Sequence, residues 1–154
     1  MALFSSFRKK KDFFTEAEKV KIVEAIRLAE RNTSGEIRLF VETKNPFVNP
    51  IDRAYEVFFK LKMEQTDHRN AVLIYVAMKN HELAVFGDEG IHREVGKAYW
   101  DAIVKDMIDA FSGEHIVDGL VQCIGHIGNT LSQKFPFIPT EDKNELPDDI
   151  VFGN

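Results

Sequence analysis

The feature that most constrains the fold is an unbroken apolar run near the middle of the chain, Ala71 to Met78. The run is far shorter than a membrane span, and its β-branched and aromatic residues are typical of a strand covered on both faces. Lys79 and Asn80 supply a two-residue turn, because Asn tolerates positive φ. Residues 81–86 then return as a second strand, and the run at 87–90, Gly-Asp-Glu-Gly, ends it and opens a helix. This stretch predicts an antiparallel β-hairpin inside a sheet covered by helices.

Amphipathic patterns place helices before and after this hairpin. Thr15 and Glu18 have the spacing of a capping box, so a helix begins at Thr15 and ends near Gly35. Pro50 suits the first position of another helix. The predicted order is a helix from Thr15, a strand at 36–43, a helix from Pro50, the two hairpin strands, a helix at 91–111 and a helix at 114–135. Three glycines of the last helix, Gly119, Gly125 and Gly128, are predicted to be close-packing points.

The first strand, the helix from Pro50 and the strand at 71–78 form one βαβ unit. We therefore expect the two strands to be parallel and their crossover right-handed. The returning hairpin strand is antiparallel, so the sheet is small and mixed. The central strand is covered on both faces, so the predicted fold is α/β in a single domain.

This topology brings four carboxylates to one end of the sheet. The parallel strands begin there, near Glu36 and Asp67, and the antiparallel strand finishes there, at Asp88 and Glu89. Like charges so close are destabilising unless a cation or donor offsets them, and oxygen-rich loops suit Ca²⁺, or Mg²⁺ less well. The alternative from spacing alone is that Asp88 and Glu89 only cap the next helix, where acids favour the helix dipole.

Composition excludes several classes of protein. The 154 residues amount to about one domain, with 44% apolar and 29% charged residues, as in ordinary globular proteins. The single Cys123 cannot form an internal disulfide, so nothing favours an oxidising compartment. We expect no transmembrane segment and a cytoplasmic location, because the basic cluster at 8–11 follows the N-terminal apolar residues, in the wrong order for a secretory signal.

The net charge of −5 lies mostly at the C-terminal end, where residues 139–154 hold five acids against Lys143. A nearly neutral body with an acidic tail is a poor nucleic-acid binder. We expect a flexible basic arm at 1–11 and a loosely attached acidic tail at 139–154 whose deletion leaves the fold intact. Three apolar residues of that tail could still dock on the core: Leu146, Ile150 and Phe152.

Three motifs resemble the TPM domain family, which includes a thylakoid-lumen photosystem repair protein and many bacterial envelope proteins. They are Thr-Ser-Gly-Glu-Ile-Arg at 33–38, Arg-Asn-Ala-Val-Leu-Ile-Tyr-Val-Ala at 69–77 and Val-Phe-Gly-Asp-Glu-Gly-Ile at 85–91. The resemblance covers residues 12–136 and implies a TPM domain at 12–138. It also implies that the fold is a three-layer α/β/α sandwich, with Ca²⁺ or another divalent ion at the loop cluster. Many members have Asp-Asn-Gly where this chain has Arg69-Asn70-Ala71, which makes Asp67 the nearest replacement for that Asp. We expect this chain to differ from most of the family in having neither the usual signal peptide nor a membrane anchor.

Two functions remain open at this point. The first is an accessory factor that binds a divalent cation through Glu36, Asp67, Asp88 and Glu89 and helps to assemble or maintain another protein, whose identity the sequence does not indicate. The alternative is a metal-assisted acid phosphatase of low intrinsic activity, since family members have been described as acid phosphatases. The sequence has no recognisable phosphatase nucleophile, which favours the accessory factor.

The clustered carboxylates should repel one another when no metal is bound. We therefore expect Asp88→Asn to leave the metal-free protein as stable or slightly more stable.

Overall fold

The computed structural model describes residues 13–47, 49–113, 115–139 and 149–153. These residues form five helices and four strands, and the α/β fold predicted from the sequence is confirmed. In chain order the elements are α1 (Glu16–Glu30), β1 (Glu36–Glu42), α2 (Pro50–Lys60), β2 (Ala71–Ala77), β3 (Glu82–Gly87), α3 (Glu89–Val95), α4 (Lys97–Ser112), α5 (Ile116–Lys134) and β4 (Val151–Phe152).

The four strands form one mixed sheet in the order β3-β2-β1-β4. Strands β1 and β2 are parallel, with Glu36 opposite Ala71, so the predicted βαβ unit is confirmed. Strand β3 is antiparallel to β2, with Gly87 opposite Val72. The sheet therefore ends in β3 on one side, with the short β4 next to β1 on the other.

Side chains alternate between two apolar cores, as the period of a strand requires. On one face, β1 and β2 place residues such as Leu39 and Ile74 against α1, α3, α4 and α5. On the other face, residues such as Phe40 and Tyr75 meet α2. All seven residues of β2 are buried, which confirms the central strand covered on both faces.

Local signals explain most helix boundaries. The capping box at the start of α1 is present: Thr15 Oγ1 accepts from the Glu18 amide at 3.1 Å, and Glu18 Oε1 accepts from the Thr15 amide at 2.8 Å. Pro50 begins α2 after the cap residue Asn49, as expected. In α5, an added Cβ on Gly119 or Gly128 would meet another helix at 2.5 Å, whereas Gly125 faces open space. Two of the three predicted close-packing points are therefore real.

Two local predictions were wrong. The helix expected at 91–111 is divided at Gly96, whose φ of 78° and ψ of 171° are accessible almost only to glycine, so α3 and α4 are separate helices. In the hairpin, the residue with positive φ is His81 (φ 53°) rather than Asn80. The turn is also longer than two residues, because Ala77 and Glu82 form the last strand pair.

The end of the chain is attached more firmly than its composition predicts. Val151 and Phe152 pair in parallel with β1, and the Gly153 amide donates to the Val41 carbonyl at 2.7 Å. The Phe152 ring lies 6.2 Å from the ring of Phe13. Ile150 also packs on the core, whereas Leu146 and the basic arm at 1–11 lie outside the described residues. Among the helices that the structure describes, none is long and apolar enough to cross a membrane.

Candidate functional site

The predicted end of the sheet does gather its acids from separate segments. Glu36 opens β1 opposite the first residue of β2, Ala71, and the Asp88 amide donates to the Ala71 carbonyl at 2.9 Å. Both acids are buried, at 3% exposure for Glu36 and 2% for Asp88. Strand topology alone therefore placed these two residues at the same end of the molecule.

A cation from the chain itself occupies part of this acidic end. The Arg69 guanidinium donates from Nε to Asp88 Oδ2 at 2.6 Å and from Nη2 to Asp88 Oδ1 at 2.8 Å. Its Nη1 lies 3.0 Å from Glu89 Oε1. The hydrogen bonds to Asp88 raise the pKa of Arg69 above its ordinary value, and the charges of Asp88, Glu89 and Glu64 act in the same direction. Arg69 thus brings Asp88 and Glu89 together around one permanent positive charge.

The local sequence explains why this pair forms. Arg69 has a φ of 51°, a left-handed conformation that is uncommon for a residue with a side chain. The Gly90 amide donates to the Arg69 carbonyl at 2.8 Å, and an added Cβ on Gly90 would lie 2.2 Å from the carbonyl oxygen of His68. Gly90 therefore lets the loop before β2 pack directly on the start of α3. Asp88 Oδ1 also accepts from the Glu89 amide at 2.8 Å, so Asp88 caps α3 while it binds Arg69.

The other two predicted ligands are placed differently. Asp67 is exposed on the loop before Arg69, and Glu36 is buried at the start of β1 with its own interactions. In the parts of the chain that the structure describes, no three His, Cys, Asp or Glu side chains are positioned to share a metal ion. As the side chains stand, Arg69 rather than a metal-ligand geometry organises this end of the sheet.

Three further oxygen atoms lie on the same loop, and the sequence identified none of them as a candidate ligand. Glu64 Oε1, Thr66 Oγ1 and Asn70 Oδ1 are buried and make no hydrogen bond within the described residues. The Asn70 amide nitrogen is satisfied, because it donates to Ser34 Oγ at 3.1 Å. Their only sequence signal was their position beside Asp67 in a polar linker. Unpaired oxygen acceptors next to carboxylates fit a hard cation chemically, but such an ion would compete with Arg69 for Asp88 and Glu89.

A groove begins at the same end and runs along the open side of β3, between α2 and α4. We call it the edge groove; its volume is about 680 Å³. Its floor is β3 itself, and its walls include Ile51 and Phe59 of α2 and Trp100 and Val104 of α4. Trp100 packs so closely that an added Cβ on Gly87 would lie 2.3 Å from its Cζ2. The Arg69 pair therefore stands at one end of an apolar groove.

Two further polar groups have structural roles. At the opposite end of β1, the buried Glu42 accepts two hydrogen bonds from Arg53 at 2.8 Å each and one from the Tyr75 hydroxyl at 2.5 Å. Burial and the hydrogen bond with Glu42 raise the pKa of Tyr75 above its ordinary value. Because Arg53 lies on α2 and Glu42 on β1, this cluster fixes α2 to the sheet.

Burial raises the pKa of Cys123 to about 12, so its thiol stays protonated and is a poor nucleophile.

These features define an α/β/α domain with an acidic end bridged by arginine, and the comparisons identify its family. The family model described as the TPM domain, and labelled a TPM phosphatase, matches residues 8–130. The chain therefore belongs to the TPM domain family. A comparison with functionally curated proteins finds no match.

Solved structures agree with this assignment. The BA42 protein of the psychrophilic bacterium Bizionia argentinensis is 39% identical, with a TM-score of 0.84, over 93% of this chain and 97% of that chain. The N-terminal domain of the cg2496 protein of Corynebacterium glutamicum is 13% identical, with a TM-score of 0.62, over 79% and 76% of the two chains. The N-terminal domain of a P. gingivalis protein is 12% identical, with a TM-score of 0.66, over 80% of each chain. The last two likenesses concern the fold alone.

Proposed function

We propose that this protein is a cation-binding accessory factor, which binds another protein rather than transforming a substrate. One observation carries the proposal: Asp88 and Glu89 share the guanidinium of Arg69 at the end of the sheet where the family resemblance implied a divalent ion. A buried carboxylate such as Asp88 requires a positive partner. The same site therefore has a built-in cation and a chemistry that suits Ca²⁺, or Mg²⁺ less well.

The residues that would hold Ca²⁺ are the four acids expected from the sequence, Glu36, Asp67, Asp88 and Glu89, with oxygen atoms of the loop at 64–70 beside them. A bound ion would supply the positive charge that Arg69 now supplies. Competition between the two makes calcium binding weaker than in a site without an arginine. Removing Arg69 should consequently strengthen calcium binding. Removing a surface arginine far from the site should not have this effect.

Thermal unfolding in increasing Ca²⁺ tests this proposal. A ligand that binds only the folded state at 100 times its dissociation constant adds ~2.7 kcal/mol. For a domain of this size we expect a rise of roughly 5–11 °C in the wild-type protein. We expect Arg69→Gln to reach a given calcium shift at about one tenth of the concentration that the wild type needs, since ~1.4 kcal/mol of lost competition is a factor of ten.

Two carboxylate variants complete this experiment. Asp88→Asn should lose most of the calcium shift, whereas Asp109→Asn, an exposed acid on α4, should retain it. Equal shifts in the wild type and in Asp88→Asn would show that calcium binds elsewhere. If neither the wild type nor Arg69→Gln responds to millimolar Ca²⁺, the cation-binding proposal is rejected.

The label of the family model favours a second candidate, an acid phosphatase. Two features weigh against it: the Cys123 thiol is buried in an apolar interface, and the Arg69 guanidinium is already bound by two carboxylates. Phosphate release from p-nitrophenyl phosphate between pH 4 and 7 distinguishes the two functions. The accessory-factor proposal expects equal, background release from the wild type and Asp88→Asn. Release that depends on Asp88 would establish the phosphatase instead.

A further inference from the structure

Within the described residues, backbone groups on the open side of β3 have no backbone hydrogen-bond partner. Ala71 and Asp88 lie directly opposite each other, and the Asp88 amide donates to the Ala71 carbonyl. Hydrogen-bonded pairs alternate along an antiparallel ladder, so Phe86, Ala84 and Glu82 also point towards β2. The N–H and C=O groups of Leu83, Val85 and Gly87 must then point away from β2, into the edge groove.

Two of the three residues that carry these outward groups are buried. Leu83 is 4% exposed and Val85 3% exposed, and the described residues provide no backbone hydrogen bond to either on that side. The great majority of buried backbone N–H and C=O groups in native proteins are paired. An edge strand with such groups is a template for another extended chain.

We propose that the edge groove binds an extended, mainly apolar peptide segment of a partner protein, which pairs with β3 as an additional strand. This inference deepens the proposed accessory function and rests on it, because it names the chemistry of the partner. Successive side chains of an added strand would face alternately towards the two helices. On the α2 side they would meet Ile51 and Phe59 of that helix and Phe86 of β3. On the α4 side they would meet Trp100 and Val104. Both faces of the groove are apolar or aromatic, so residues on both sides of the segment should be apolar.

The shape of the groove favours a single segment over a second folded copy. Side chains of α2 and α4 both line it, so the edge of β3 lies between two helices rather than on a flat side of the molecule. Two exposed apolar residues of α2, Ile51 and Tyr55, extend the α2 wall outwards. The Tyr55 ring lies 5.5 Å from the ring of Phe86 on β3, which makes the surface and the groove continuous.

Charges at the two ends of the groove indicate what should flank the apolar segment. Asp88, Glu89 and Asp101 line one end with Arg69 and Lys97. Glu82 begins β3 at the other end and accepts from the neutral amide of Asn45. Among the groove-lining residues, three acids stand against two bases, and lysine or arginine flanks complement this net negative charge.

A synthetic peptide provides the test, used with the full-length protein in the absence of calcium. The probe has the core Val-Phe-Val-Thr-Val with two lysines at each end. Trp100, the only tryptophan of the chain, lines the groove and serves as the fluorescence reporter. We expect saturable binding that weakens at least tenfold when glutamates replace the lysines. Amide exchange should slow at least tenfold at Leu83, Val85 and Gly87 in the complex, with little change at Phe86 and Ala84.

Two N-methylated peptides separate strand addition from simple hydrophobic capture. Methyl groups on one alternating set of backbone nitrogens remove the bonds to β3, and methyl groups on the other set do not. We expect one peptide to bind like the parent and the other at least tenfold more weakly. Equal binding of both peptides would overturn the proposal.

Variants of the protein give an independent check. Proline at position 85 keeps the ladder, because that N–H points outwards, but it blocks the groove. Val85→Pro should abolish peptide binding, and Val85→Ala, which retains the N–H, should bind. If the proline variant does not fold, the N-methylated peptides still decide the question.

Other outcomes identify a different occupant. Slow exchange at Leu83, Val85 and Gly87 that depends on protein concentration without peptide would assign the groove to a second copy. Peptide binding that appears only after residues 1–12 are deleted would assign it to the chain's own N-terminal segment. Either result would overturn the proposal that the groove binds a segment of a partner protein. No peptide binding together with an intact calcium shift would reject this inference and leave the cation-binding proposal standing.

Discussion

Arg69 binds both carboxylate oxygens of Asp88, with N···O distances of 2.6 and 2.8 Å, across 19 residues of sequence. The sequence predicted uncompensated repulsion at this end of the sheet, and the ion pair removes that repulsion. The expected effect of Asp88→Asn in the metal-free protein is therefore reversed. The asparagine would leave Arg69 without its main partner, so we now expect the variant to be less stable.

The first prediction concerns the free energy of this pair. Asp88→Asn and Arg69→Gln should each lower the free energy of unfolding by about 2–3 kcal/mol, less than for a fully buried pair because the Arg69 side chain is 37% exposed. Denaturant unfolding of both single variants and the double variant gives the coupling energy, which we expect to be about 1–3 kcal/mol.

The exposed pair Lys97–Asp101 is the matched control. It has a similar N···O distance of 2.7 Å, but its side chains are 84% and 63% exposed. Asp101→Asn should therefore cost no more than about 0.5 kcal/mol. Equal losses for Asp88→Asn and Asp101→Asn would show that burial adds nothing to the Arg69 pair.

The sequence predicted the sheet well because its signal is local and periodic. The apolar run of β2 identifies a central strand, and the hairpin and crossover then determine which ends meet. The position of Glu36 and Asp88 at one end followed from topology alone, whereas their burial was not predicted. The partners of the side chains could not be predicted in the same way. A periodic pattern shows where a residue lies in an element, but not which group its side chain contacts. The reach of Arg69 depends on its left-handed φ and on the contact between its carbonyl and Gly90.

Two other differences have equally local causes. Val95 and Tyr99 continue one apolar pattern, so the pattern does not reveal that Gly96 has a positive φ and separates two helices. Strand β4 has only two residues, too few for any alternation to register, and its place beside β1 depends on aromatic contacts far apart in sequence.

The second prediction uses the raised pKa of Cys123. Burial raises this pKa from 9.0 to about 12, with a smaller contribution from Asp106. The folded protein therefore keeps the thiol proton over a range in which the unfolded chain releases it. Its contribution to stability is complete below pH 9 and decreases by ~1.4 kcal/mol per pH unit from there to about pH 12.

Denaturant unfolding of the wild type and Cys123→Ala between pH 8 and 10 checks this point. The alanine variant should be less stable at pH 8, because a buried side chain is lost. Its free energy of unfolding should nevertheless fall less steeply above pH 9. Parallel curves for the two proteins would contradict the raised pKa.

The third prediction compares two glycines of α5 that lie three residues apart. Gly125 is exposed and has nothing within 4 Å of an added Cβ, so Gly125→Ala should stabilise the protein by about 0.5–1 kcal/mol. At Gly128 the same Cβ would lie 2.5 Å from Ala29 Cβ and 2.9 Å from Ala29 Cα. Gly128→Ala should therefore force α1 and α5 apart and cost about 1–3 kcal/mol. Melting temperatures that change in the same direction would contradict this packing.

The last prediction concerns Phe152, which attaches the end of the chain to its beginning. Its ring lies 6.2 Å from Phe13 and 6.4 Å from Phe14, and it is partly buried against the core. We expect Phe152→Ala to lower the free energy of unfolding by about 2 kcal/mol. This is less than the loss of roughly 3–5 kcal/mol that follows when a fully buried phenylalanine is replaced by alanine. Phe13→Ala should have a similar effect. The double variant should lose less than the sum of both, because the two rings share one contact.

Phe137→Ala is the control, since this ring is 44% exposed and should contribute well under 1 kcal/mol. Deleting residues 140–154 should leave unfolding cooperative but at lower denaturant, because β1 loses β4 while both apolar cores remain. The expectation that deletion of the tail leaves the fold intact is kept, and a loss of stability is added to it. If Phe152→Ala and Phe137→Ala unfold at the same denaturant concentration, Phe152 makes no contact that matters in solution, and the tail is as loosely attached as its composition predicted.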